Sequence, residues 1–302
     1  MDRLDSPRRL LLVHAHPDDE TIVNGATMAR YAAEGASVTL VTCTRGERGE
    51  VIPPDLVHLE GDGDALGERR TAELAAAMEA LGVTDHRFLG ADAGVRFRDS
   101  GMAWGPHGRA VAAPDTGDDA FAHADVDAAA WHLVRVIREV RPQVVVTYEP
   151  DGGYGHPDHV QTHRVTVRAV ELAASEAGDG EPWAVAKVYE TVLPESAARQ
   201  VLRESAADNP FEPVDPDGPL PPMVVPDDEV TTVVEAPGHR EATAAALRAH
   251  ATQVVVEGGY FALSNGVGRP IVTTEYFRLS HGTPLPDQDR ADGRESDLFA
   301  GV

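Results

Sequence analysis

Apolar residues along this chain fall into short runs that alternate with stretches of helical spacing. Runs with the length and Val/Leu content of strands occupy Arg9 to Ala15, Ser37 to Cys43, His86 to Leu89, Gln143 to Tyr148 and Ala186 to Val192. Helical patterns lie near Thr21 to Glu34, Arg69 to Leu81, Val126 to Val140 and Val160 to Ala174. The third is clearest, because Val126, Ala130, Leu133, Ile137 and Val140 recur on one helical face, Asp125 can cap its start and Pro142 prevents its continuation. Gly35 ends the first helix in a similar way. Strands apolar on both faces, each followed by a helix, predict an α/β fold: a Rossmann-like, mostly parallel sheet with helices on both faces. In that order the first and fourth strands are neighbours at the switch point, where the connections leave toward opposite faces and open a crevice.

Two segments interrupt the pattern. Residues 91–122 are rich in Gly, Asp and Pro and are expected to overhang the crevice as a substrate loop; residues 209–228 are proline-rich and are expected to form a surface excursion. The reading therefore places a catalytic core at 1–185 and a smaller C-terminal α/β lobe at 186–302, with strands at Glu229 to Glu235 and Ile271 to Leu279 and a helix near His239 to His250. The polar tail 281–302 is expected to be loose.

Chemistry enters through two strings that each follow a strand, His16-Pro17-Asp18-Asp19 and His156-Pro157-Asp158-His159. Proline biases the preceding histidine toward an extended conformation and ends the strand, so each string becomes a corner that carries side chains outward. One His-Pro-Asp alone is compatible with a plain turn. Two copies after strands expected to be adjacent bring six metal-binding or acid-base groups to one crevice. Histidine and carboxylate without a nearby thiolate suit zinc, or iron(II), in a catalytic site that keeps a position for water. Of Asp18 and Asp19, one can bind the metal while the other takes a proton from water. His156 beside Asp158 can supply an acid and a charge stabiliser, and Tyr154 a hydroxyl for an oxyanion. His163 and His14 are expected to sit outside the ligand set, and His250 has no supporting constellation.

Composition narrows the partners. Fifty acidic against 26 basic residues give a formal charge of −24, which disfavours nucleic acid and anionic membrane and leaves a neutral or cationic small molecule as the expected partner. The single cysteine, Cys43, lies in an apolar run and is read as a buried structural thiol. With no cleavable apolar segment at the start and no run long enough to span a membrane, a cytoplasmic location is expected. The oligomeric state is left open.

The strings His14-Ala15-His16-Pro17-Asp18-Asp19-Glu20 and Gly152-Gly153-Tyr154-Gly155-His156-Pro157-Asp158-His159 closely resemble the LmbE-like, or PIG-L, zinc de-N-acetylases. The likeness extends through Asn24-Gly25-Ala26-Thr27, Gly49-Glu50-Val51-Ile52, Arg98-Asp99-Ser100-Gly101-Met102 and Phe261-Ala262-Leu263-Ser264-Asn265, and so over nearly the whole chain. Within that family these strings look like the branch that serves mycothiol biosynthesis. The resemblance implies removal of acetate from an amino-sugar inositol substrate, N-acetylglucosaminyl-inositol, with one zinc ion per subunit and iron(II) as the other candidate. It assigns His16, Asp19 and His159 to the metal, Asp18 as general base, His156 as electrostatic stabiliser and acid, and Asp158 to tune His156. It makes Tyr154 a mobile group that polarises the carbonyl, and Arg70, Asp99 and Glu50 residues that grip sugar and inositol hydroxyls. Met102 and Trp104 are read as lining the same pocket. Two rivals remain: a mycothiol S-conjugate amidase, for which lysine and proline would be expected where this chain has Val23 and Gly155, and a catalytically silent glycoside-binding module.

Overall fold

In the computed structural model, which describes residues 7–205, 209–212 and 215–302, strand β1 (Arg9–His14) is central to one large sheet. β2 (Ser37–Thr42) and β3 (Asp85–Phe88) lie on one side of it. A short hairpin of β4 (Met102–Trp104) and β5 (Ala110–Ala112) stands apart from that sheet. On the other side of β1 follow β6 (Val144–Tyr148) and β7 (Lys187–Pro194). β8 (Val224–Val225) pairs with the end of β7, and β9 (Thr232–Glu235) lies at the far edge. A separate three-stranded sheet holds β10 (Val255–Glu257), β11 (Tyr260–Ala262) and β12 (Arg269–Pro270). β13 (Thr274–His281) inserts between β7 and β9, antiparallel to both, whereas β3, β2, β1, β6 and β7 are mutually parallel.

The apolar run of the first strand has a direct cause, since its alternate residues enter two cores. Leu10 and Leu12 pack on one face and Leu11 and Val13 on the other. The first face is covered by α1 (Asp19–Ala33), α2 (Gly63–Leu81) and α6 (Arg240–Ala249) through Met28, Tyr31, Leu74, Met78 and Ala246. α3 (Val126–Val140) and α4 (Pro157–Ala173) cover the second through Leu133, Ile137, Val165 and Ala169. The mixed sheet with helices on both faces and a smaller C-terminal sheet is the expected class.

Several boundaries differ from the sequence reading. α2 starts at Gly63, where the Asp62 side chain accepts from the Ala65 N–H, because an N-cap extends a helix beyond its apolar stripe. α4 starts at Pro157, so the second histidine corner opens a helix directly. α5 (Glu195–Ser205) was missed, as its sequence is mostly polar and only Ala197, Ala198 and Ser205 are buried. The hairpin within 91–122 has three residues per strand, too few for alternation to register. Within the 209–228 excursion, residues 213 and 214 lie outside the described residues, as do 1–6 at the start.

The tail corrects an expectation. Leu298 and Phe299 are buried in the first core, Tyr31 donates to Asp297 at 2.8 Å, and Lys187 pairs with Glu295 at 2.9 Å with both side chains buried. A polar composition concealed two apolar anchors and one buried ion pair. Among the described residues no helix is long and apolar enough to cross a membrane. Cys43 is buried, and burial pushes its thiol up to about 12, so it is inert packing.

Candidate metal and acid-base site

β1 and β6 pair side by side, Leu10 opposite Val144, and this register brings the two histidine corners face to face. The His16 and His156 rings stand 4.6 Å apart between centroids, and His16 and His159 5.4 Å. The second corner is reached through a tight glycine turn. At Gly152, with φ 66°, a Cβ would come within 2.7 Å of the Val160 nitrogen, so only glycine lets the turn pack against the start of α4. Pro157 occupies the first turn of that helix, where no N–H is needed, and His156 caps it.

Three side chains converge as a ligand set would. Asp19 Oδ2 lies 3.2 Å from His16 Nδ1 and 3.4 Å from His159 Nε2. Ligands bound about 2.0–2.1 Å from a tetrahedral ion stand about 3.3–3.4 Å apart, so the spacing suits zinc. His159 Nε2 is buried without a hydrogen-bond partner, an orphan that a metal would satisfy. Against the cost of burial, Asp99, Asp158 and Asp19 hold the His16 pKa well above its ordinary value, so the surroundings already favour positive charge there. Two overlapping triads, His16, His156 and His159, and His16, Asp99 and Asp158, have ligand atoms that all lie within 4.8 Å of one another, and neither includes Asp19. In these triads His156 Nδ1 accepts the Asp158 N–H and Asp158 Oδ2 accepts from His16 and Ser100, whereas His159 Nε2 has no hydrogen-bond partner.

Those commitments revise one expectation. The Asp158 carboxylate does not pair with His156; its Oδ2 accepts from His16 Nε2 at 3.1 Å, from the Ser100 N–H at 2.9 Å, and its Oδ1 accepts from the Ser100 hydroxyl. Asp158 thus orients His16, leaving Nδ1 for a metal. Its link to His156 is through the backbone, where the Asp158 N–H donates to His156 Nδ1 at 3.1 Å. Since Nδ1 accepts, the proton of neutral His156 sits on Nε2. Burial, reinforced by His16 and His159, holds His156 well below its usual pKa and so in this neutral form.

Asp18 and Asp19, whose roles spacing left open, differ in their surroundings. The Asp18 carboxylate makes no hydrogen bond to the protein among the described residues, and burial with the neighbouring Asp19 pushes it up to about 8. The Asp18 backbone has φ 116°, ψ −33°, outside the range side-chain-bearing residues favour. Tyr154 has its ring 5.3 Å from that of His159, and burial raises its hydroxyl pKa, so it remains a proton-bearing donor.

A cavity of about 970 Å³ opens beside this cluster, lined by Glu47, Arg48, Glu50, Asp99 and Asp115 among others. Asp99 joins it to the candidate metal site, with Oδ1 3.6 Å from His16 Nε2. Glu50 lines the cavity and is exposed. Arg70 lies beneath the floor, buried, donating to the Gly46 and Glu50 carbonyls and to the Thr252 hydroxyl, so it shapes the 46–50 loop. Met102 sits half-buried on β4, off the cavity lining, and Trp104 is 66% exposed with its ring 5.9 Å from Tyr154.

Sequence reasoning missed several supporting residues. Tyr148 stacks on His159 at 4.2 Å and donates to Asp19 Oδ2 at 2.8 Å, yet reads in sequence as the end of an apolar strand. Ser100 holds Asp158, and Glu47 accepts from Arg96 and from the Asp99 N–H. His250, given no constellation from sequence, pairs with Glu20 at 2.8 Å. His14 contacts Tyr148 and Asn24, and His163 contacts the Tyr148 carbonyl, both outside the ligand set.

Comparison with known proteins bears on the family and the fold. The family model described as GlcNAc-PI de-N-acetylase (PIG-L) matches residues 11–170. A 1D-myo-inositol 2-acetamido-2-deoxy-alpha-D-glucopyranoside deacetylase of Kineococcus radiotolerans is 57% identical, over 100% of this chain and 85% of its own length. Among solved structures, the N,N'-diacetylchitobiose deacetylase of Pyrococcus horikoshii is 17% identical with a TM-score of 0.57, over 94% of this chain and 90% of that one. The 4-carboxy-2-hydroxymuconate hydratase GalB of Pseudomonas putida is 18% identical, with the same TM-score of 0.57 over 92% and 98%. At such identities the two structures speak for the fold alone, and the fold carries more than one chemistry. The family match across more than half of the chain, together with the full-length relative, shows that this chain belongs to the GlcNAc-PI de-N-acetylase (PIG-L) family.

Proposed function

We propose that this chain hydrolyses the acetamide of N-acetylglucosaminyl-inositol, giving glucosaminyl-inositol and acetate, the deacetylation step of mycothiol biosynthesis. The observation that carries the reading is an Asp18 carboxylate with no hydrogen bond among the described residues, beside the His16, Asp19 and His159 set, which Asp99 joins to a large cavity. The relatives named for this deacetylation, at 53–57% identity over nearly the whole chain, support the choice of substrate.

His16, Asp19 and His159 would hold zinc. Bound there, zinc would act as a Lewis acid on the amide carbonyl and the attacking water. Asp18 takes the proton of that water as its oxygen bonds to the carbonyl carbon. His156 Nε2–H and the Tyr154 hydroxyl, whose rings lie 4.9 and 5.3 Å from that of His159, donate to the oxygen on which negative charge grows. When the C–N bond breaks, the proton held by Asp18 passes to the leaving nitrogen, so water ends as acetate and a free amine. His156 Nδ1 accepts the helix-capping N–H, which suits His156 to stabilise charge; acting as the acid would require release of that cap. Arg70 supports the cavity wall, while Glu50 and Asp99 present carboxylates to substrate hydroxyls.

The test is amine release by the metal-loaded protein from N-acetylglucosaminyl-inositol and from a mycothiol S-conjugate, with and without chelator. Chelator-sensitive preference for the acetylated sugar is expected. Preference for the conjugate would replace this reading with the amidase, and silence on both would overturn it.

A further inference from the structure

Asp18, the base in the proposed hydrolysis, is held in a backbone conformation that L residues rarely adopt, by neighbours at the start of α1 and by groups more than 200 residues away in sequence. The peptide unit between Pro17 and Asp18 is gripped on both edges. The Pro17 carbonyl accepts from Gln253 Nε2 at 2.6 Å, and the Asp18 N–H donates to Glu20 Oε2 at 3.0 Å. On the other side, the Asp18 carbonyl accepts the first N–H groups of α1, from Thr21 at 3.0 Å and Ile22 at 2.9 Å. With both flanking peptide planes fixed, φ of Asp18 is fixed at 116°.

Glu20 can serve only if its carboxylate is itself held. Its Oε1 accepts from the Thr21 hydroxyl at 2.6 Å and from His250 Nε2 at 2.8 Å, and the Glu20 and His250 side chains are both fully buried. His250 ends α6, and a turn in which Gln253 and Val254 donate to the His250 carbonyl returns the chain beneath the first histidine corner. His250 and Gln253 lie outside residues 11–170, the stretch that the family model matches, whereas Glu20 lies within it.

We propose that Glu20 and His250 form a buried positioning pair that keeps Asp18 in its strained conformation and so aims the base at the attacking water. The inference rests on the proposed hydrolysis for its kinetic readout but not for its structural one. Removing the pair lets the Pro17–Asp18 peptide rotate toward an ordinary φ and carries the carboxylate away from the reacting atoms, whereas the ligands His16, Asp19 and His159 keep their own contacts.

The experiment compares Glu20→Gln, His250→Ala, His250→Gln and the double variant Glu20→Gln/His250→Ala by steady-state kinetics, zinc content and crystal structure. Misplacing a reacting group by about 1 Å costs roughly 100-fold, so kcat of the two disruptive single variants is expected to fall roughly 10–100-fold, with KM and zinc content within about twofold of the parent. The double variant is expected to be no slower than the worse single one, because both changes break one link. His250→Gln, whose amide N–H can still reach Glu20, is expected to recover most of the rate, and His250→Ala to show Asp18 away from φ 116°. The inference is overturned if both single variants keep kcat within about threefold of the parent, if His250→Gln is as slow as His250→Ala, or if Asp18 is unmoved in the His250→Ala crystal. Should His250→Ala fail to fold, the near-isosteric Glu20→Gln and the His250→Gln variant carry the same comparison. A parent inactive on the acetylated sugar would refute the proposed substrate, while the position of Asp18 in the variant crystal would still decide this inference.

Discussion

Replacing Tyr148 with phenylalanine isolates one hydroxyl at the foot of the candidate metal set. That hydroxyl donates to Asp19 Oδ2 at 2.8 Å and accepts the Ala15 N–H at 2.9 Å, while the ring stacks on His159 with 4.2 Å between centroids and 15° between planes. Phenylalanine keeps the stack and loses only the oxygen. A hydrogen bond to an ionised carboxylate contributes about 1.5–3 kcal/mol, and loss of a partner that orients a metal ligand typically weakens binding about 10–100-fold, two figures that agree. The Ala15 N–H, left buried without its acceptor, adds a separate cost of about 1–3 kcal/mol to the fold. Competition against a chromophoric chelator should therefore show zinc affinity roughly 10–100-fold weaker, and the metal-free variant should melt a few degrees lower. Turnover at saturating zinc should be largely retained, since the hydroxyl orients a ligand and does not face substrate. Zinc affinity within about threefold of the parent would refute the argument, because Asp19 would then need no orientation by Tyr148 or would not be a ligand.

Asp18→Asn should lower kcat about 10²–10⁴-fold while zinc content stays unchanged, and loss of zinc in step with activity would move Asp18 into the ligand set. Arg70→Lys cannot reach the Gly46 and Glu50 carbonyls together with Thr252, so the cavity loop should loosen and KM should rise about tenfold with kcat little changed; a pure kcat loss would contradict the supporting role. Glu295→Gln breaks the buried pair with Lys187 and should cost about 3–5 kcal/mol in denaturant unfolding. Despite the opposing cost of burial, Lys187, the Leu285 N–H and Tyr189 hold the Glu295 pKa below its ordinary value, so its contribution is full above that value and is lost as pH falls toward the lower folded one. The parent and the variant should therefore converge in stability on acidification, and a difference that persists into strong acid would remove the ion pair as its cause.

The strand and helix order was legible because each element buries an apolar pattern of its own period. β1 and β6 are apolar on both faces, and α3 carries one unbroken stripe, so local spacing sufficed. The two histidine corners were legible for a related reason, as proline marks where a strand must stop. What escaped were contacts made across the fold. Asp158 was expected to serve His156, two residues away, but a helix start turns its carboxylate toward His16, 142 residues distant. Arg70 was expected to grip substrate hydroxyls, yet α2 turns it inward beneath the cavity loop, where it donates to backbone carbonyls.

The chain by itself determined the alternation of strands and helices and the corners that carry His16 and His156, because these depend on residue type and local period; the division of the corner side chains into ligands and base came only with the family resemblance. Tertiary structure alone decided which carboxylate faces which ring, how Asp18 comes to be unpaired, and that the tail docks through Leu298 and Phe299. A hydrogen bond or a desolvated charge is set by which surfaces meet, and that depends on the register of β1 against β6 and on the packing of α6 beneath the first corner.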